Sequence, residues 1–237
     1  MRLRGRKGIL ESIESQTDLV VLDASKYKGK WHEFFGNDRP IHVELGMGKG
    51  QFISQMSVRN PEVNYIGVDM YDELIRRASE KARAAWSEQG VESPPNLALL
   101  RANIENIDDM FDENELERIY LNFSDPWPKS KHARRRLTHP RFVERYIHKL
   151  NTRGEIHFKT DSQSLFDFSL NSFADMELVM RNISLNLHKD GPREDLVFTE
   201  YETKFHEMGQ PIHRVEVVIG EQVLHEHREE KKTKYRM

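Results

Sequence analysis

Between residues 41 and 175 the chain alternates short apolar runs with longer amphipathic ones, and this alternation constrains the fold more than any other feature. Residues 41–45, 65–69, 97–100, 118–123 and 155–159 read as strands. Residues 51–59, 72–89, 140–150 and 163–175 read as helices, with a short acidic helical segment near 108–114. Pro61 and Gly90 punctuate the first two helices. Strands alternating with helices at this pitch predict an α/β fold with a parallel sheet covered by helices on both faces. The last third changes character. Residues 177–187 and 214–219 both read as strands with no clear helix between them, which predicts an antiparallel pair closing the sheet.

The chain has 237 residues, of which 37% are hydrophobic, enough for one domain with a real core. Residues 93–96, Ser-Pro-Pro-Asn, are the one candidate linker and are too short to separate domains. The reading is a single domain over residues 1–237, with a basic N-terminal arm over about residues 1–30 and a charged tail over about 221–237. The absence of cysteine excludes disulfides, thiolate catalysis and cysteine zinc sites. The basic start runs into Glu11, Glu14 and Asp18 rather than an apolar stretch, unlike a signal peptide, and no segment has the apolar length of a membrane span. A cytoplasmic location is expected.

Net charge is -3, but it is unevenly spread. Residues 1–8 carry four positive charges and no negative one, and residues 129–136 carry five and none. Such concentration suits the phosphates of a nucleic acid, although a basic run can equally be a solvated face.

Directly after the first strand comes Glu44-Leu45-Gly46-Met47-Gly48-Lys49-Gly50. Glycines at this point let the backbone turn tightly and approach a ligand beyond the carboxyl end of the strand. A glycine turn alone is a weak signal, and two details sharpen it. The spacing is G-x-G-x-G, not the G-x-G-x-x-G of dinucleotide binders. A carboxylate, Glu44, sits two residues before the first glycine, where it would repel a pyrophosphate and attract a sulfonium or ammonium group. Asp69 ends the second strand, 21 residues after Gly48, at the place where an acid accepts from ribose hydroxyls. Asn103 follows the third strand and can pair with an adenine edge. These features favour S-adenosylmethionine over NAD; the competing reading makes each acid a surface residue at a strand end and Asn103 an ordinary turn residue.

The fourth strand runs into Asn122-Phe123-Ser124-Asp125-Pro126-Trp127-Pro128-Lys129. Proline fixes its own φ and restricts its predecessor, so Asp125 is held outside regular structure. A carboxylate so held can accept from the N1 and N2 hydrogens of a guanine, with Trp127 available to stack; otherwise the segment is a turn around a structural tryptophan.

Taken together and in order, the turn at Glu44, Asp69, the run Asp125-Pro126-Trp127-Pro128-Lys129, the run from Lys131 to Arg136, Thr160-Asp161 and Thr203-Lys204-Phe205 resemble the bacterial tRNA (guanine-N7-)-methyltransferase family, the TrmB type. The likeness extends over roughly residues 2–220, and the D-P-W-x-K-x-[KR]-H-x-x-R-R run is its most specific part. The resemblance implies a Rossmann-like class I methyltransferase fold and methylation, from S-adenosylmethionine, of guanine N7 in the tRNA variable loop. It implies that Glu44, Gly46, Gly48, Gly50, Asp69 and Asn103 hold the cofactor and that Asp125 borders it as the catalytic carboxylate. Lys129, Asp161, Thr203, Lys204, Phe205 and His206 would contact substrate, and Lys131, His132, Arg134, Arg135 and Arg136 the RNA. Two departures stand out: the Asn103 position is often Asp in the family, and His206 stands where the family usually has Glu. N7 has a free lone pair and no proton, so the chemistry asks for positioning and for negative charge near a developing cation, not for a general base.

Alternatives remain: a methylase of an exocyclic amino group, an NAD-dependent oxidoreductase on the same sheet, or a non-catalytic RNA-binding module. The 11 histidines suggest no metal site; His225 and His227 read as exposed residues of the tail, and His132 as a phosphate contact.

Overall fold

The computed structural model describes residues 8–191, 193 and 196–234. These divide into two compact units, one drawn from residues up to 112 and from 196–203, the other from 113–191, 193 and 204–234. The architecture is the expected α/β one: eight strands among the described residues, mostly parallel, with the C-terminal strands antiparallel.

The first unit runs α1 (Ile9–Glu14), β1 (Val20–Val21), α2 (Trp31–Phe35), β2 (Ile41–Leu45), α3 (Gln51–Arg59), β3 (Asn64–Asp69), α4 (Asp72–Ser87), β4 (Leu97–Arg101) and α5 (Ile107–Met110). Its strands lie in the order β1-β4-β3-β2, all parallel. Every residue of β2 and β3 is buried, as expected of parallel strands covered on both faces, so these segments read as runs and not as alternations. In α4, Ile75, Ala78, Ala82 and Trp86 recur every three or four residues and form the buried face, while Asp72 and Glu73 occupy the first turn, where negative charge is favoured. The Trp86 indole donates to Ser57 Oγ of α3 at 2.9 Å. Asn96, at the end of the candidate linker, is buried and donates to the carbonyls of Ser57, Asn60 and Val63, so this stretch is locked down and not a hinge.

Of the region read as an arm, residues 1–7 lie outside the described residues. From Gly8 onward the chain is structured: Ile9 and Ile13 are buried, β1 pairs with β4, and the fully buried Trp31 donates to the Met110 carbonyl at 3.1 Å.

The second unit runs β5 (Leu116–Asn122), α6 (Pro140–Lys149), β6 (Leu150–Thr160), α7 (Gln163–Asp175), β7 (Val179–Ser184), α8 (Glu200–Glu207, its first four residues grouped with the first unit), β8 (His213–Val218) and α9 (Glu221–Lys234). The strand order is β5-β6-β8-β7, with β5 and β6 parallel and the pairings of β8 with β6 and β7 antiparallel. The caps follow the sequence: Pro140 opens α6 behind His139, whose Nδ1 accepts from Arg141 N, and Ser162 Oγ accepts from Leu165 N to start α7.

Three expectations need correction here. The strand read over 177–187 is shorter, because Glu177 and Asn182 have positive φ and the ladder slips between Arg181 and Ser184. A helix, α8, stands where none was expected. It carries a capping box: Glu202 N donates to Thr199 Oγ1 at 2.9 Å and Thr199 N to Glu202 Oε2 at 3.3 Å. The Thr199-x-x-Glu202 spacing could have revealed it, but fully buried Glu202 hides the apolar period. Within the charged tail, residues 221–234 form α9, residues 235–237 lie outside the described residues, and only one of the two histidines is exposed. His225 is exposed, whereas His227 is buried one turn from buried Val223.

On one face of the second unit, Glu155 and His157 of β6 and Glu216 of β8 meet arginines from three strands. Arg118 Nη2 lies 3.0 Å from Glu155, Arg181 bridges Glu155 and Glu216, and Arg214 pairs with Glu216. His157 Nε2 lies 2.9 Å from Glu155 Oε2. Burial drives the His157 pKa down from 6.5 to about 4 despite Glu155. Burial opposes charge on Glu155, but His157 and the arginines outweigh it and hold the pKa at about 2 against an ordinary 4.5.

Two outcomes are expected. Gly50 has φ +75°, and a Cβ there would lie 2.5 Å from Ala78 Cβ and 2.9 Å from Ala78 Cα. Gly50→Ala should therefore lower unfolding stability by about 2–4 kcal/mol in urea titrations, the sum of a left-handed alanine and an overpacked contact; a loss below about 1 kcal/mol would contradict this packing. Second, native His157 and Glu155 both refuse protons that the unfolded chain accepts, so their stabilisation is intact above pH 6.5 and is lost stepwise as pH falls, through His157 first and Glu155 below 4.5. His157→Gln should flatten the urea midpoint between pH 6.5 and 4; an unaltered pH dependence would remove His157 from this role.

Candidate active site

In the first unit the glycine turn folds back over the end of β3. Gly46 N and Met47 N both donate to the Val68 carbonyl, at 2.9 and 3.0 Å, and Gly46, Gly48 and Gly50 all have positive φ. Asp69 braces the turn from beneath: Oδ2 accepts from Gly48 N at 3.1 Å and Oδ1 from Tyr71 N at 3.2 Å. Glu44 is buried, opposite Gly67 in the pairing of β2 with β3. Lys49, the cation inside the turn, is committed to Glu200 at 2.8 Å. Two buried carboxylates, Glu44 and Asp69, flank the turn, an arrangement that fits a cationic, sulfonium-bearing cofactor with a ribose.

Asn103 is exposed, and its Oδ1 accepts from Glu105 N at 3.0 Å, capping the short 3-10 turn over residues 104–106. Sequence reasoning passed over Met70 and Tyr71, each 51% exposed, beside Asp69 at the end of β3. Two large apolar side chains left in solvent beside a ribose-type acid were the available signal.

In the second unit β5 ends in a strained segment: Phe123 and Trp127 have φ of 50° and 40°. Arg136 holds it. Its Nε donates to the Pro126 carbonyl at 3.1 Å, its Nη2 to the Trp127 carbonyl at 3.0 Å, and its guanidinium lies 4.3 Å from the Phe168 ring centroid. Arg136 is thus buried and acts as a strut, a correction to its expected place among the RNA contacts. Trp127 is half-buried, with Arg135 4.8 Å above its ring and His132 in a T-shaped contact with it. Asp125, one residue before the pinned carbonyls, is exposed.

Lys129, Lys131, Arg134 and Arg135 are exposed along or beside the 3-10 helix over residues 130–135, and His132 is half-buried. Asp161 is exposed at the end of β6, after buried Lys159 and Thr160. On α8, Thr203 Oγ1 donates to the Thr199 carbonyl at 3.2 Å, and Lys204 is exposed. Phe205 lies 5.9 Å from Phe123, and His206 packs edge-on against His188. Among the described residues, Glu155, His157 and Glu216 have metal-ligand atoms within 4.8 Å of one another, but Arg118, Arg181 and Arg214 already supply the positive charge a cation would bring.

A family model described as "Putative methyltransferase" matches residues 38–215. A tRNA (guanine-N(7)-)-methyltransferase of Lysinibacillus sphaericus is 47% identical over 216 residues, 91% of this chain and 97% of the relative. The enzymes of that name from Bacillus velezensis and Streptococcus sanguinis are 43% and 46% identical, over 92% of this chain and 96% and 100% of their own. Among solved structures, the 16S rRNA methyltransferase KamB aligns with a TM-score of 0.58 at 11% identity, over 81% of this chain and 93% of its own. A 16S rRNA (adenine(1408)-N(1))-methyltransferase of Catenulisporales acidiphilia, solved with the cosubstrate SAM, aligns at 0.57 and 14% identity, over 84% of this chain and 92% of its own. The structural likenesses establish the methyltransferase fold. On the extent of the sequence identity, the chain belongs to the tRNA (guanine-N(7)-)-methyltransferase family.

Proposed function

We propose that this protein transfers the methyl group of S-adenosylmethionine to N7 of a guanine in the variable loop of tRNA. The observation that carries the reading is identity of 43–47% over more than nine-tenths of the chain to enzymes named for that reaction. When bound, the cofactor supplies an electrophilic methyl carbon; the N7 lone pair takes it, the carbon–sulfur bond breaks with its electrons left on sulfur, and the base gains a positive charge.

The residues divide the work. The open backbone of the glycine turn, with buried Glu44, holds the sulfonium-bearing amino-acid end, and Asp69 accepts from the ribose. Met70 and Tyr71 offer apolar surface to the adenine, and the Asn103 amide NH2 donates to its edge. Asp125 accepts from guanine N1–H and N2–H, which orients N7, and its negative charge opposes the positive charge that develops on the ring. No proton leaves N7, so Asp125 is an orienting and electrostatic group, not a base. Lys129, Asp161, Thr203, Lys204 and Phe205 surround the nucleotide, and His206 is the weakest of this set because its ring faces His188. Lys131, His132, Arg134 and Arg135 meet phosphates. The location is the cytoplasm, where tRNA is matured.

Calorimetry tests the cofactor: S-adenosylmethionine should bind with the purified protein and NAD should not, and the reverse would replace this reading with the oxidoreductase one. Asp125→Ala should lower kcat by about 10²–10³, the scale of losing a preorganised electrostatic partner, and leave the urea midpoint unchanged because the side chain is exposed. Turnover within a factor of about three of the parent would deny Asp125 its role. The double variant Lys131→Gln/Arg134→Gln should weaken tRNA binding and reduce the slope of log K against log salt by about 1.5, roughly 0.7–0.9 per phosphate lost. An unchanged slope would place the RNA elsewhere, whereas Arg136→Gln should lower stability instead.

A further inference from the structure

Helix α8 spans eight residues and carries Thr203, Lys204 and Phe205. A helix of two turns has little stability of its own, so its position depends on what holds it. The capping box closes its first turn within the helix. Glu200 ties that turn to the first unit around it. One carboxylate oxygen accepts from Lys49 Nζ at 2.8 Å, and the other pairs with Lys81 of α4. Lys81 also donates to Gln51 Oε1, at the first residue of α3, at 2.9 Å. Lys49 stands between Gly48, whose N–H is held by Asp69, and Gly50, whose Cα lies against Ala78. Glu200 therefore joins the start of α8 to the glycine turn and to the helices on either side of it.

We propose that Glu200 is a positioning residue for the tRNA substrate: clamped by Lys49 and Lys81, it fixes the first turn of α8 against the glycine turn and so sets where Thr203, in that same turn, meets the substrate. This rests on the function proposed above and adds a residue to it. Glu200 touches neither reacting group; it acts through the helix. Burial works against its charge, yet the hydrogen bonds from Lys49 and Lys81 hold its carboxyl below the usual range, so it is ionised wherever the enzyme works. A carboxylate at this end of a helix also meets the favourable end of the helix dipole. The groups are about one-third to one-half exposed, so an ordinary surface ion pair would add little to stability. A positioning role requires a selective effect on RNA instead.

Steady-state kinetics with an unmodified tRNA transcript test this. Glu200→Gln should raise KM for tRNA roughly 2- to 5-fold, the reach of a partly exposed ion pair, while KM for S-adenosylmethionine stays within about 1.5-fold and the urea midpoint within error of the parent. Lys81→Gln should have the same selective effect, and the double variant should be little worse than either single one, because both remove one clamp. If Glu200→Gln fails to fold, Lys81→Gln carries the test by itself. A wild-type enzyme that forms N7-methylguanosine, with a Glu200→Gln variant matching it on tRNA or losing cofactor and tRNA affinity in parallel, overturns the positioning role alone. A wild-type enzyme that forms no N7-methylguanosine overturns the function and this role with it.

Discussion

The glycine turn of the first unit depends on the hydrogen bond from Gly48 N to the Asp69 carboxylate. It fixes the glycine turn against the end of the neighbouring strand and, in doing so, decides which groups the turn can present. A loop of three positive-φ glycines has few internal restraints, and Asp69 replaces them with one strong, charge-assisted bond. The same carboxylate accepts from Tyr71 N, so the acid is oriented before any ligand arrives. Its surroundings enforce the geometry from below: Gly50 sits so close to Ala78 that the turn has no room to relax toward α4. Preorganisation of this kind lowers the cost of ordering a site on binding.

The second unit reaches a similar rigidity by other means. Its acid, Asp125, belongs to a segment with two left-handed non-glycine residues, and Arg136 offsets that strain by holding the carbonyls of Pro126 and Trp127. Arginine suits this task because its planar fork donates two bonds at once and its face still packs on Phe168. The basic run thus contains two kinds of residue. Arg136 and, through Trp127, Arg135 build the loop, while Lys131 and Arg134 are exposed.

The sequence was most legible where burial imposes a period. The strands at 41–45 and 97–101, the helix at 51–59 and the helix at 163–175 fall where apolar spacing and capping residues put them. It was least legible where a polar residue occupies an interior position. Fully buried Glu202 masked α8, buried His227 disguised α9 as a solvated tail, and the charged residues of β6 and β8 gave no hint that arginines from β5 and β7 would neutralise them. Site residues followed the same rule. Glu44, the glycines, Asp69 and Asp125 are marked by neighbours in sequence, whereas the strut role of Arg136 and the clamp on Glu200 depend on partners ten and 151 residues away. Such partners leave no local pattern.

The position of the methyl group on the product is the most direct test of the proposed function. Unmodified tRNA transcript should be incubated with the enzyme and S-adenosylmethionine carrying a labelled methyl group, digested to nucleosides and separated. The account predicts label in N7-methylguanosine alone, with alkali opening its imidazole ring and the label retained on the ring-opened product. Label in N6-methyladenosine or N2-methylguanosine, or none in any nucleoside, would contradict it.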